Sequence, residues 1–408
     1  NFDKYTRFAG NMAPLVYDGR VYVGVSGTGY TAVLGEAEGA EVSLLSRPGV
    51  RKGLRAFLTA YDAETGNLDW RWYVTASNRW EGGYVERTQF GDFLNRNVVR
   101  EKKDTVLYRD SWLRGGGSLY SSPSVDPELG LIFVGTGNPS PGYAEQQRPG
   151  DNLYTSSVVA LEVDTGKMRW YQQIIPHDIW GYDVAAPPLL LEVAGLNGNQ
   201  TPAVAVAAKT GWVYFFDRRN GEPIRRSEPF VPQSRTMFSW PTEEGVEIAP
   251  GAAGGANWPP MSLSRTTGLL FVAGSHNPTN YKLERYADGQ MLMTMGNLNS
   301  PARWGTVTAI DPQNGKIKWQ QRTDLPVVSG ALSTAGEILF HGQSNRFFVA
   351  RNAKTGEKLW QFQTGAGVNA PPITYSVNGR QYVAVASGGH ALFKYPLGNA
   401  VIAFELPQ

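Results

Sequence analysis

Apolar and polar positions along this chain alternate in short bursts rather than in long helical periods. Six apolar runs, 20–25, 131–135, 203–207, 268–273, 338–341 and 381–386, lie between turn-forming residues and predict strands. A further strand-like run, 168–175, leads straight into the polar phrase Pro176-His-Asp-Ile-Trp-Gly-Tyr-Asp183. No long segment carries an apolar stripe at helical spacing. Residues 79–108 and 230–256 are polar and irregular and read as long loops, the first with room for a short helix. The pattern is that of an all-β protein.

One phrase recurs through these strands: a small apolar residue, then Asp, then Thr-Gly or Asn-Gly, then Trp four residues after the glycine. It runs from Ala60 through Gly66 to Trp70, and returns at Gly166 with Trp170, Gly315 with Trp319 and Gly356 with Trp360. A fifth copy, Asp217 to Gly221, has Arg225 where the Trp would fall. The glycine supplies the positive φ of a tight hairpin turn, and the Trp opens the next strand with a large flat face for a neighbouring sheet. The glycines are 100, 55, 94 and 41 residues apart. Such spacing fits one unit per 40–55 residues, with some copies missing or some units enlarged by loops. That is the period of a β-propeller blade.

Composition narrows the function. The 47 Gly and 26 Pro suit a turn-dense β fold, and a formal charge of +2 without basic clusters argues against nucleic acid as a partner. No apolar run is long enough to span a membrane. With no Cys, the chain has no disulfide, thiolate metal site, Cys nucleophile or Cys-x-x-Cys-His haem attachment. The phrase 176–183 gathers two carboxylates, an imidazole and two aromatics in a chain with only 4 His. It reads either as a polar turn capping a strand or as the core of a site.

Together, these features resemble the pyrroloquinoline quinone (PQQ) dependent alcohol dehydrogenases, eight-bladed propellers held by tryptophan-docking repeats. The resemblance rests on the Trp-bearing repeat and on several phrases in the family's order. These are the glycines Gly115, Gly116 and Gly117 with Ser118, Asn138 in Gly-Thr-Gly-Asn-Pro, the phrase from Arg148 to Asn152, the 176–183 stretch, Lys209, Asn257-Trp258 and the segment 330–336. It implies a single propeller domain over 1–408, about seven blades' worth of sequence, lacking an N-terminal part. It also implies oxidation of an alcohol or sugar-type hydroxyl, periplasmic or secreted location, and electrons leaving to a cytochrome or quinone. The missing blades would come from another segment or a second copy of the chain.

By the same resemblance, Gly116 and Gly117 let the backbone approach PQQ, while Ser118, Tyr120 and Asn277 contact it. Tyr120 stands where the family stacks a Trp. Lys209 faces the quinone oxygens and assists catalysis, and Asn138 and Glu41 bind a metal, calcium or a lanthanide, with Asp183. Glu36 or Glu38 are alternatives to Glu41 inside the insertion 28–55. The family's catalytic Asp directly follows the Trp of this stretch; here that position is Gly181. Asp183 is therefore a metal ligand, a relocated base or a structural residue, and Asp178 a residue that fixes the loop. The competing reading is a non-catalytic propeller that uses the same docking repeats as a protein-binding scaffold. Convergence of Tyr120, Asn138, Asp183 and Lys209 on one pocket would favour the cofactor.

Overall fold

The computed structural model describes residues 12–26, 55–142, 144–285 and 291–405. Seven sheets are present among them. Five are four-stranded antiparallel meanders, and each runs through its strands in sequence order. The first contains Leu15–Tyr17, Arg20–Val25, Phe57–Asp62 and Leu68–Tyr73. The second contains Ser124–Asp126, Leu131–Gly135, Ser157–Glu162 and Met168–Gln173. The third begins at Leu189–Ala194 and ends at Pro223–Arg226, and the fifth begins at Ala331–Ser333 and ends at Lys358–Gln363. The fourth pairs Ser262–Leu263, Leu270–His276, Trp304–Asp311 and Lys316–Thr323. The sixth has three strands, Ile373–Val377, Arg380–Ser387 and Ala400–Glu405. The remaining sheet, Val246–Ile248, Thr279–Arg285 and Met291–Met295, is built from excursions around the fourth.

The six predicted apolar runs all fall on the second strand of a sheet. That strand is paired on both sides, as is the third strand of each four-stranded sheet. The intervals of 100 and 94 residues separate consecutive sheets. They are long because segments are inserted there, between the first and second sheets, between the third and fourth, and between the second and third strands of the fourth.

The repeated phrase is a docking device. In every copy the glycine N–H closes the turn on the carbonyl four residues earlier: Gly66 on Asp62, Gly166 on Glu162, Gly221 on Asp217, Gly315 on Asp311 and Gly356 on Asn352, at 2.7–2.9 Å. The Trp of one sheet then reaches the turn of the next. The indole N–H of Trp70 donates to the Val163 carbonyl (3.0 Å), that of Trp170 to Arg218 (3.1 Å) and that of Trp319 to Ala353 (3.0 Å). The glycine of the receiving turn lies flat against the same indole: a Cβ on Gly221 would sit 2.7 Å from Trp170, and one on Gly356 2.6 Å from Trp319. Across its own hairpin each Trp faces an alanine, Ala60, Ala160, Ala309 or Ala350, next to a bulge. The exceptional Arg225 does the same work by other chemistry, donating to the Pro312 and Gln313 carbonyls of the following turn at 2.9 and 2.7 Å. Trp360 differs: it is 40% exposed and packs edge-on against Phe404 of the sixth sheet, with centroids 5.1 Å apart.

The loop 79–108 contains α1, Val98–Tyr108, capped by the Asn97 side chain on the Arg100 N–H at 3.0 Å. Its polarity is reversed. Glu101 is buried, while Val99, Val106 and Leu107 are exposed. The inward face is polar because Glu101 forms a buried ion pair with Arg96 (2.6 Å), which also holds Asp151 (2.5 Å). Among the described residues no helix is long and apolar enough to cross a membrane.

Candidate active site

Two excursions meet over the stretch 176–183. From the later loop, the Ser239 carbonyl accepts the Trp180 indole N–H (2.9 Å), and Phe238 packs edge-on against Trp180 and Tyr182. The Trp240 indole crosses to Leu94 of the earlier loop (3.3 Å), and Asn95 donates to the Phe238 carbonyl (2.9 Å). Trp180 and Tyr182 are wholly buried, so they serve as core that anchors the stretch.

Asp178 shapes it. One carboxylate oxygen accepts the N–H groups of Trp180 (2.9 Å) and Gly181 (3.0 Å), and the other accepts the Ser156 hydroxyl (3.1 Å). Burial, with a contribution from the charge of Asp183, raises its pKa to about 6. His177 has φ +53° and stacks near Trp240; its Nδ1 lies 2.7 Å from the Gly150 carbonyl. Burial lowers its pKa to about 3, so the ring is neutral and Nδ1–H is the donor. The fixing role expected of Asp178 is the one the geometry displays.

The turn delivers Asp183 to a buried polar cluster. Lys209 from the third sheet forms an ion pair with one Asp183 carboxylate oxygen, and the Asn138 backbone N–H donates to the other at 2.5 Å. The two side chains of the pair are 9% and 1% exposed. Ser118 joins through the paired backbones of 115–118 and 137–140: Gly137 N–H meets the Ser118 carbonyl at 2.8 Å and Gly117 N–H the Asn138 carbonyl at 3.2 Å. A Cβ on Gly137 would lie 2.9 Å from Asp183 and 3.1 Å from the Ser118 Cβ, so these segments are in contact. The Tyr120 phenol bonds to the Ser118 side chain; burial raises its pKa, and the Asp183 charge adds to the effect. Ser118, Tyr120, Asn138, Asp183 and Lys209 therefore converge.

Other expected residues are placed differently. Gly116 and Gly117 have φ +68° and +76°, but the space a Cβ would need belongs to Ser140 and Val74. Packing against these neighbours therefore requires glycine at both positions. Asn277 spends its amide on the loop after the fourth sheet's excursion, donating to the Leu298 carbonyl (2.6 Å) and accepting the Ser300 N–H (3.3 Å). Glu41, Glu36 and Glu38 lie outside the described residues. Gly181 has φ +79°. Sequence reasoning left Asn257 as a mere phrase, yet it is buried directly after Gly255 and Ala256, whose backbones close on Lys209 and on the Ala208 carbonyl (3.0 Å).

The donor chemistry fits a hard cation: Asn138, which carries an amide oxygen, and the carboxylate of Asp183 are both buried and meet through the Asn138 backbone N–H. Among the described residues no three His, Asp or Glu side chains cluster as a metal site, so these two are a partial set. Lys209 beside them suits an anionic oxygen of a bound organic group.

A β-propeller whose blades lock through Trp-on-glycine docking, with a buried Asn–Asp–Lys cluster beneath two long loops, is the class defined by this geometry. The family model for the β-propeller domain of PQQ-dependent glucose, ethanol and alcohol dehydrogenases matches residues 44–237 and 286–383, and the chain belongs to that family. It is 32% identical over 400 residues to the quinoprotein alcohol dehydrogenase PedE of Pseudomonas putida, covering 90% of this chain and 63% of that one. It is 31% identical over 406 residues to the lanthanide-dependent methanol dehydrogenase of Methylacidiphilum fumariolicum, covering 92% and 61%. The crystal structure of the quinohemoprotein alcohol dehydrogenase from Comamonas testosteroni superposes with a TM-score of 0.73 at 30% identity, covering 97% of this chain and 59% of that one. The chain thus spans under two thirds of these relatives' length.

Proposed function

We propose that this chain acts in a PQQ- and metal-dependent dehydrogenase that oxidises a primary or secondary alcohol, or a sugar-type hydroxyl, to a carbonyl. The observation that carries this reading is the convergence of Ser118, Tyr120, Asn138, Asp183 and Lys209, for which a protein-binding scaffold has no use. When bound, PQQ supplies a two-electron acceptor for the hydride leaving the carbinol carbon as the hydroxyl proton departs. Asn138 and Asp183 would hold a calcium or lanthanide ion. Lys209 presents its ammonium to the anionic oxygens, and the Tyr120 ring and Ser118 hydroxyl bound the same space. Electrons leave to an external cytochrome or quinone, and the reaction belongs in the periplasm or outside the cell.

The proton acceptor is the open element. Gly181 offers no side chain, and Asp178 is enclosed by the Ser156 hydroxyl and two N–H groups. Asp183 is held by the Lys209 ammonium on one oxygen and the Asn138 N–H on the other. Gly181 thus favours a second reading, a PQQ-binding member with a lost or moved base. Titrating metal-free protein with PQQ and calcium, then lanthanum, while following thermal stability and dye reduction with an alcohol panel tests both. Stabilisation with turnover is expected; stabilisation without turnover supports the second reading, and no stabilisation with either metal overturns both.

A further inference from the structure

The phrase Arg148-Pro-Gly-Asp-Asn152 has no role in the reading above, yet its first residue is fully buried. The Arg148 guanidinium donates through Nε to the Pro141 carbonyl (2.8 Å) and through Nη2 to the Gly142 carbonyl (3.3 Å), in the loop that follows Asn138. Nη2 also meets the Asp178 carbonyl (2.7 Å), at the root of the turn that ends in Asp183. Nη1 is oriented by the Asn152 side-chain oxygen (2.6 Å), and the Asn152 amide returns a bond to the Arg148 carbonyl (2.7 Å). The same phrase grips the turn twice more, where His177 N–H meets the Asp151 carbonyl (3.1 Å) and the His177 ring meets Gly150.

We propose that Arg148 is a positioning residue that sets the separation of Asn138 and Asp183, and so the affinity of that pair for a hard cation. The inference rests on the proposed PQQ and metal reading. The guanidinium is a rigid planar fork that reaches both loops at once, whereas an ammonium on a flexible stem is a point charge that satisfies one of them. Residues that orient metal ligands typically change affinity about 10–100-fold when replaced.

The test is titration of metal-free protein with terbium(III), a luminescent hard cation, for wild type, Arg148→Lys and Arg351→Lys. Arg351 is a control: buried in the fifth sheet, it donates to the His341 ring (3.0 Å) and the Gly356 carbonyl (3.0 Å), away from the cluster. Terbium affinity is expected to fall at least about tenfold in Arg148→Lys and to stay within about twofold in Arg351→Lys, at similar losses of thermal midpoint. Equal affinity of wild type and Arg148→Lys would overturn the positioning role while leaving the PQQ reading intact. Failure of the wild type to bind terbium would overturn the metal site itself, and the positioning role with it. If Arg148→Lys does not fold, Arg148→Gln, which keeps one polar group but not the fork that reaches both loops, is read by the same criterion, with loss of affinity supporting and retention refuting.

Discussion

Replacing Lys209 by Met removes the ammonium from a carboxylate that is 1% exposed. Losing one partner of a buried pair costs about 3–5 kcal/mol, because the other charge stays desolvated. Asp183 keeps the Asn138 N–H on one oxygen, so the low end, about 3 kcal/mol, is expected. Asp183→Asn strands the ammonium instead and costs a similar amount. The double variant places an amide beside a thioether, leaves no buried charge unpaired, and should cost no more than either single change. The coupling is then about 3 kcal/mol, far from additive. With an unfolding entropy of about 2.1 cal/mol/K per residue over 408 residues, 3 kcal/mol moves a cooperative midpoint by about 3–4 °C. Differential scanning fluorimetry on the four metal-free proteins reads this directly. Additive losses, or single losses under about 1 kcal/mol, would mean that the pair is solvent-screened and would refute the buried cluster.

Other outcomes follow from the same geometry. Gly356→Ala and Gly379→Ala both place a side chain at φ +76°, but only the first meets an indole, with Trp319 at 2.6 Å against nothing within 4 Å. The strain of about 1–2 kcal/mol is common to both, so the excess loss in Gly356→Ala by denaturant unfolding measures the docking, and equal losses would refute it. His341 is buried neutral, its pKa lowered by burial to about 3. The unfolded chain binds that proton below about 6.5, so stability falls as pH drops from about 6.5 toward 3, and His341→Gln should flatten this limb of a stability–pH profile. Gly181→Asp puts a carboxylate at the family's base position at a cost of about 1 kcal/mol for its φ; dye reduction should rise if the missing base limits turnover, and an unchanged rate would place the base elsewhere.

Much of this was legible in the chain because it depends on local chemistry. Apolar second strands announced the sheets, and the Gly–Trp phrase announced their joints, since a turn with positive φ and an indole four residues on have few other uses. The cluster was legible only through family resemblance, which brought Asn138, Asp183 and Lys209 to attention from separate segments. Helix α1 escaped periodicity because its inward face is polar: Glu101 points to Arg96 and valines face water, so hydrophobic spacing carries no signal. The reason for Gly116 and Gly117 also lay outside the sequence, because Ser140 and Val74 are distant along the chain. By itself, then, the sequence determined the strands, the turns and the docking code, all set within about ten residues. The tertiary structure alone decided which polar groups share a low-dielectric site, that Lys209 neutralises Asp183 and that Arg148 ties two loops together, because Asp183 meets Asn138 and Lys209 across 45 and 26 residues and Arg148 meets Asp178 across 30.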